Sequence, residues 1–200
     1  MPVAVTRPLF AGLASDHRVV GIDLRGNPAR RAGWAAGEGA VVHTRCLRSD
    51  SEIYGLTRDF APTLVAIDAP LSLPWTGISR AAERDLLHEA GIRSYPPLLP
   101  SMCALTARGI ELAAAFRALG VTVIEAYPGG AQDLLGLGRK QHGLELLRAG
   151  LERELALEGD ESHDELDAVT CVIVGWYFLA GRYRAYGDPA EGQIIVPASE

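Results

Sequence analysis

Val19-Val20-Gly21-Ile22-Asp23-Leu24, closed by Arg25-Gly26-Asn27-Pro28, is a β-branched apolar run ending in an acid and a turn, and it predicts a central strand. Residues 63–68, Thr-Leu-Val-Ala-Ile-Asp, repeat the pattern as a strand of the kind buried on both faces, stopped by Pro70 and Pro74. Residues 121–126 repeat it again, with Glu125 near the end and Tyr127-Pro128-Gly129-Gly130 as the stop. Between the first two runs, residues 32–36 and 40–46 read as short strands joined across Gly37-Glu38-Gly39, followed by a helix over 49–60. Beyond Asp68 the pattern gives a helix over 79–90 that stops at Gly91. An irregular stretch, 92–101, follows because Pro96, Pro97 and Pro100 forbid regular structure. An Ala-rich helix spans 102–119, two short helices lie within 131–157, and a last helix over 162–182 opens on the capping box Ser162-x-x-Glu165.

Three consecutive strands, a helix, a strand, helices, a strand and helices again is not the strict alternation of a doubly wound fold. It is the order of an α/β RNase H-like fold: a three-strand meander, then two parallel strands, in one mixed five-stranded sheet flanked by helices. Residues 1–17 read as an N-terminal arm and 18–200 as a single domain, since 200 residues with 48% hydrophobic content suffice for one well-buried core.

A net charge of −6 argues against wrapping duplex DNA by bulk basic charge and leaves room for local basic patches. Cys46, Cys103 and Cys171 show no C-x-x-C spacing, which speaks against a zinc site or disulfide framework and for a reducing, cytoplasmic setting. The longest apolar run, 169–180, is too short to span a membrane, so no membrane association is expected. P-loop, dinucleotide-binding and serine-hydrolase signatures are missing from the sequence.

Asp23, Asp68 and Glu125 sit at the carboxyl ends of strands that are otherwise apolar, where a charge is costly and where open α/β sheets place their ligand crevices. Singly, each reads equally well as a cap of the following turn or helix. Asp164 and Asp167 stand three apart at the start of the last helix and so share a face. Two carboxylates about 4 Å apart repel by about 4 kcal/mol at an effective dielectric near 20. A divalent cation resolves that repulsion, and all-oxygen ligands select Mg²⁺ or Mn²⁺; the alternative is one shifted pKa and no metal. His163 adjoins Asp164 and could order a water or phosphate. Arg139 and Lys140, in a loop after Gly136 and Gly138, are placed to meet a phosphate. Arg25, Arg30, Arg31, Arg80, Arg84 and Arg93 read as a solvated face. Trp34, Trp75 and Tyr95 read either as base-stacking or as core aromatics.

Together, Gly21-Ile22-Asp23-Leu24, Ala66-Ile67-Asp68-Ala69-Pro70-Leu71-Ser72-Leu73-Pro74, Ile124-Glu125-Ala126-Tyr127-Pro128-Gly129-Gly130 and His163-Asp164-Glu165-Leu166-Asp167-Ala168 resemble the family called domain of unknown function 429. Gly91-Ile92-Arg93-Ser94-Tyr95-Pro96-Pro97 and Gly192-Gln193-Ile194-Ile195-Val196-Pro197 extend the likeness from Arg18 to Pro197. Members of that family are described as predicted nucleases of RNase H fold. More distantly, Asp164-x-x-Asp167-Ala168 before an apolar helix resembles the last catalytic motif of RuvC-type Holliday-junction resolvases.

The resemblance implies that Asp23, Asp68, Asp164 and Asp167 bind Mg²⁺ or Mn²⁺ in a metal-dependent nuclease. Glu125 has no counterpart in the resolvase motifs and is a further candidate catalytic acid by its strand-end position alone, and Arg139 and Lys140, by their loop position, would hold phosphate. It implies nucleic acid, DNA or RNA, as partner and a homodimer on a symmetric junction. Two other readings stand beside it: an inactive binding or scaffold protein of the same fold, and a metal-dependent small-molecule phosphohydrolase.

Overall fold

The computed structural model describes Leu13 and residues 17–139, 143–157 and 159–198. The expected arm, 1–17, therefore lies outside the described residues apart from Leu13 and His17. The described chain forms seven strands and six helices: β1 (Val19–Asp23), β2 (Ala32–Glu38), β3 (Val41–Leu47), α1 (Asp50–Phe60), β4 (Leu64–Asp68), α2 (Ala81–Ala90), α3 (Cys103–Ala118), β5 (Thr122–Ala126), α4 (Pro128–Leu135), α5 (Leu144–Leu151), α6 (His163–Leu179), β6 (Tyr183–Tyr186) and β7 (Ile194–Pro197).

These strands make one mixed sheet in the order β3-β2-β1-β4-β5-β7-β6. The antiparallel meander β1-β2-β3 and the parallel pairs β1-β4 and β4-β5 are the five strands expected of an RNase H-like domain. The sheet extends two strands further: β7 pairs parallel with β5, and β6 closes the edge antiparallel to β7. The expected last helix is correspondingly shorter. It ends at Leu179, and Gly181, at φ 69°, turns the chain into β6.

Strand register divides the side chains between two apolar layers. On one face, Val19, Leu64, Ala66 and Ile124 pack against α6, which is buried continuously from Leu166 to Tyr177. On the other, Val20, Ile22, Val65 and Ile67 pack with Ile53 of α1 and Leu112 and Phe116 of α3. Trp34 belongs to this second layer: its Nε1 donates to Thr57 Oγ1 at 2.9 Å and its ring meets Phe60 edge-on. Of the two readings open for this ring, the structure takes core.

Helix α6 is set against the sheet by glycines. A Cβ on Gly21 would lie 2.0 Å from the Ala168 carbonyl oxygen, and one on Gly33 would lie 1.9 Å from that of Asp164. Backbone therefore meets backbone where the first turns of α6, with Asp164 and Asp167, cross β1 and β2. The Ser162 cap fixes the helix start, with Glu165 Oε2 accepting from Ser162 N at 2.9 Å. Gly33→Ala should destabilise the fold by about 1–3 kcal/mol, the usual cost of overpacking. Urea unfolding checks this, and an unchanged midpoint would mean that α6 is not held at that distance.

Candidate functional site

Asp23 and Asp68 are direct register partners at the carboxyl ends of parallel strands β1 and β4. Residues in register share a face, and successive residues alternate. Both acids therefore continue the series Val19, Gly21 and Leu64, Ala66 onto the α6 side, where Asp167 descends from the second turn of the helix. All three line a cavity of about 320 Å³ above the strand ends.

Asp23 is almost fully buried, at 4% exposed. Burial pushes its carboxyl well above the usual aspartate range, and the charges of Asp68 and Asp167 push it further, against the pull of Arg25. Its Oδ2 is buried without a hydrogen-bond partner; the Arg25 Nη2 stands 3.8 Å away, too far for a bond. Asp167, 3% exposed, is oriented by α4: Gln132 Nε2 donates to its Oδ1 at 2.7 Å and to Thr170 Oγ1 at 3.1 Å. Asp164 sits one turn earlier and outside the cavity lining. Its carboxylate is paired with Arg25, whose Nη2 reaches Oδ1 and whose Nε lies 3.4 Å from Oδ2. His163 is exposed at the helix start and does not line the cavity.

Glu125 is placed differently. It pairs in register with Ile67, one residue short of Asp68, so its side chain leaves on the opposite face of the sheet. There it meets Arg80, which is wholly buried rather than part of a solvated face. Arg80 Nη1 and Nη2 donate to Glu125 Oε2 and Oε1 at 2.7 and 2.6 Å, and Leu71 N donates to Oε2 at 2.8 Å. Arg80 Nε also donates to Glu83 Oε1 at 3.0 Å, and Nη1 to Ser72 Oγ at 2.8 Å. Burial pushes the Glu125 carboxyl up while the Arg80 hydrogen bonds hold it back. Burial disfavours the Arg80 charge, and the bonds to Glu125 and Glu83 outweigh it. The carboxylate of Glu125 is thus committed to a closed polar network on the cavity's far wall.

Arg139 lines the cavity, with its Nε donating to Asp133 Oδ1 at 2.6 Å. Lys140 lies outside the described residues. Arg30, Arg31, Arg84 and Arg93 are exposed, as a solvated face requires, and so are Trp75 and Tyr95, the latter on the cavity rim. Arg25 departs from that expectation by turning inward onto the acids. Arg108, which the sequence did not single out, is also buried and donates through Nη1 to the Arg25 carbonyl oxygen at 2.5 Å.

Among the described residues, no three acidic, histidine or cysteine side chains are arranged to hold one ion. The donor set nevertheless has the chemistry of a hard-cation site: Asp23, Asp68 and Asp167 face one cavity, and a buried carboxylate oxygen there lacks a hydrogen-bond donor. No described helix is long and apolar enough to cross a membrane.

A mixed sheet of this order with acids gathered at the ends of its two central strands defines an RNase H-like domain. The chain belongs to the family described as Protein of unknown function (DUF429), whose model matches residues 21–191. Among solved structures it is similar to Thermus thermophilus RuvC in complex with a Holliday junction substrate. The TM-score is 0.53 and the identity 14%, over 82% of this chain and 96% of that one. A second Thermus thermophilus RuvC structure matches with a TM-score of 0.47, at 19% identity and the same coverage. No curated protein matches the sequence. At 14% identity the first of these likenesses speaks for the fold alone.

Proposed function

We propose that this protein is a divalent-cation-dependent nuclease that hydrolyses phosphodiester bonds in the cavity at the ends of β1 and β4. The observation that carries the reading is the buried, donorless Oδ2 of Asp23 between Asp68 and Asp167. Burying a carboxylate oxygen with no hydrogen-bond donor is expensive, and setting it in register with a second acid suits a site that takes up a cation. The fold's likeness to RuvC, a structure solved with a Holliday junction, supports a nucleic-acid substrate.

Asp23, Asp68 and Asp167 would hold Mg²⁺ or Mn²⁺, with Asp164 as a fourth donor once freed from Arg25. Such an ion supplies charge neutralisation and Lewis acidity toward a phosphoryl oxygen. The protein's own part is positional: Gln132 locks the Asp167 carboxylate, the glycine contacts fix α6 over the strands, and Arg139 presents a guanidinium at the cavity edge. Glu125 serves as wall rather than ligand, because its oxygens are taken by Arg80 and Leu71.

The test is a cleavage screen in Mg²⁺ and Mn²⁺ with labelled single-stranded, duplex and four-way-junction DNA, the matching RNAs, and mononucleotides. Cleavage of an oligonucleotide, lost on chelation, is the expected result. Release of phosphate from mononucleotides alone would replace the nuclease with a phosphohydrolase. Inertness toward every substrate would favour a binding protein.

A further inference from the structure

Arg25 lies two residues beyond Asp23, and its backbone is pinned from outside the acid cluster. Its carbonyl oxygen accepts from Arg108 Nη1, and Arg108, buried on α3, is itself held by Asp50 Oδ1 through Nε at 2.8 Å. So anchored, the guanidinium pairs with Asp164 and comes within 3.8 Å of Asp23 Oδ2 without bonding it. It compensates charge at the acids while leaving the Asp23 oxygen open. Its planar fork donates along fixed directions and cannot wrap a second carboxylate as an ion does.

Resting on the nuclease reading, we propose that Arg25 is the resident counter-cation of this site and competes with the divalent ion for Asp164. An ion held by Asp23 would stand within a few ångströms of the guanidinium, and like charges at that range repel strongly even at a protein-like dielectric. One of the two yields. Arg25 has somewhere to go: its side chain is 36% exposed and also borders a second cavity of about 420 Å³, shared with Gly26, Asn27, Arg30 and Ser101. Displacement would place two guanidiniums, Arg25 and Arg30, on one open surface beside the acid cavity, each able to donate two parallel N–H groups to a phosphate. Cation and phosphate-bearing ligand then reinforce each other's binding, as linkage requires of two events that favour the same arrangement.

Calorimetric Mn²⁺ titration of wild type, Arg25→Gln and Arg25→Lys tests this without a substrate. Arg25→Gln should bind Mn²⁺ at least about tenfold more tightly, because the competing charge is gone. Arg25→Lys, which keeps the charge but loses the fork, should stay within about threefold of wild type. A measurement on the unaltered protein runs beside these: the Arg25 Nε–H resonance, protected by Asp164 in chelator, should lose its protection on Mg²⁺ addition.

Equal Mn²⁺ affinity in wild type and Arg25→Gln, or an Nε–H signal unchanged at saturating Mg²⁺, would overturn the competition and leave the nuclease reading standing. Failure of both wild type and Arg25→Gln to take up Mn²⁺ would overturn the two together.

Discussion

Replacing Arg80 by methionine should cost about 3–5 kcal/mol of unfolding free energy, the penalty for leaving buried carboxylates without their cation. Arg80 is wholly enclosed and is the shared cation for Glu125 and Glu83, so its removal leaves two buried acids with backbone donors alone. The same reasoning predicts a rescue. Adding Glu83→Gln and Glu125→Gln to Arg80→Met should recover a large part of the loss, because no buried charge then lacks a partner. Urea denaturation of the three proteins measures both effects. A loss below about 1 kcal/mol in Arg80→Met would mean that water reaches the network and that Glu125 is available for other roles.

Asp23→Asn should reduce cleavage by about 10²–10³-fold or more, the scale on which losing a principal charge-stabilising group acts. In the absence of metal the same change should raise stability. The raised pKa of Asp23 means that the folded protein binds a proton that the unfolded chain has already released. Stability therefore falls as pH rises from the ordinary aspartate value of 3.8 through the raised folded value. Asparagine removes that slope. Glu125 shifts in the same direction, so its contribution is present in both proteins and cancels in the difference profile. Unfolding in chelator across this pH range should show Asp23→Asn gaining on wild type as pH increases. A constant difference would mean that Asp23 is neither buried nor crowded by Asp68 and Asp167.

A variant that is more stable and inactive is the mark of a site whose strain serves chemistry, in contrast to Arg80, where the charge is held for the fold.

Much of this was legible in the chain. Val-Val-Gly-Ile-Asp23 and Leu-Val-Ala-Ile-Asp68 are apolar runs of equal length ending on the acid, and pairing them end to end puts both carboxylates on one face. In Thr-Val-Ile-Glu125-Ala the acid comes one residue before the end, and strand alternation sends it to the other face. In the sequence all three read alike as strand-end acids; the register of β4 with β1 and β5 is what sets Glu125 on the opposite face from Asp23 and Asp68.

Arg25 and Arg80 were not legible because a long, flexible cation satisfies the same local pattern whether it points to water or inward. Only the tertiary partner decides, and for Arg80 that partner is 45 residues away. Strands β6 and β7 escaped notice for a related reason: four-residue runs carry little periodicity, and their pairing with β5 and with each other is what makes them strands.

Anomalous diffraction from crystals soaked in millimolar Mn²⁺ decides whether Asp23, Asp68 and Asp167 form a divalent-cation site. An anomalous peak in contact with Asp23 Oδ2, shared with Asp68 or Asp167, is the expected result. Ordered carboxylates with no peak among them, at an ion concentration that fills exposed surface sites elsewhere in the same crystal, would contradict it.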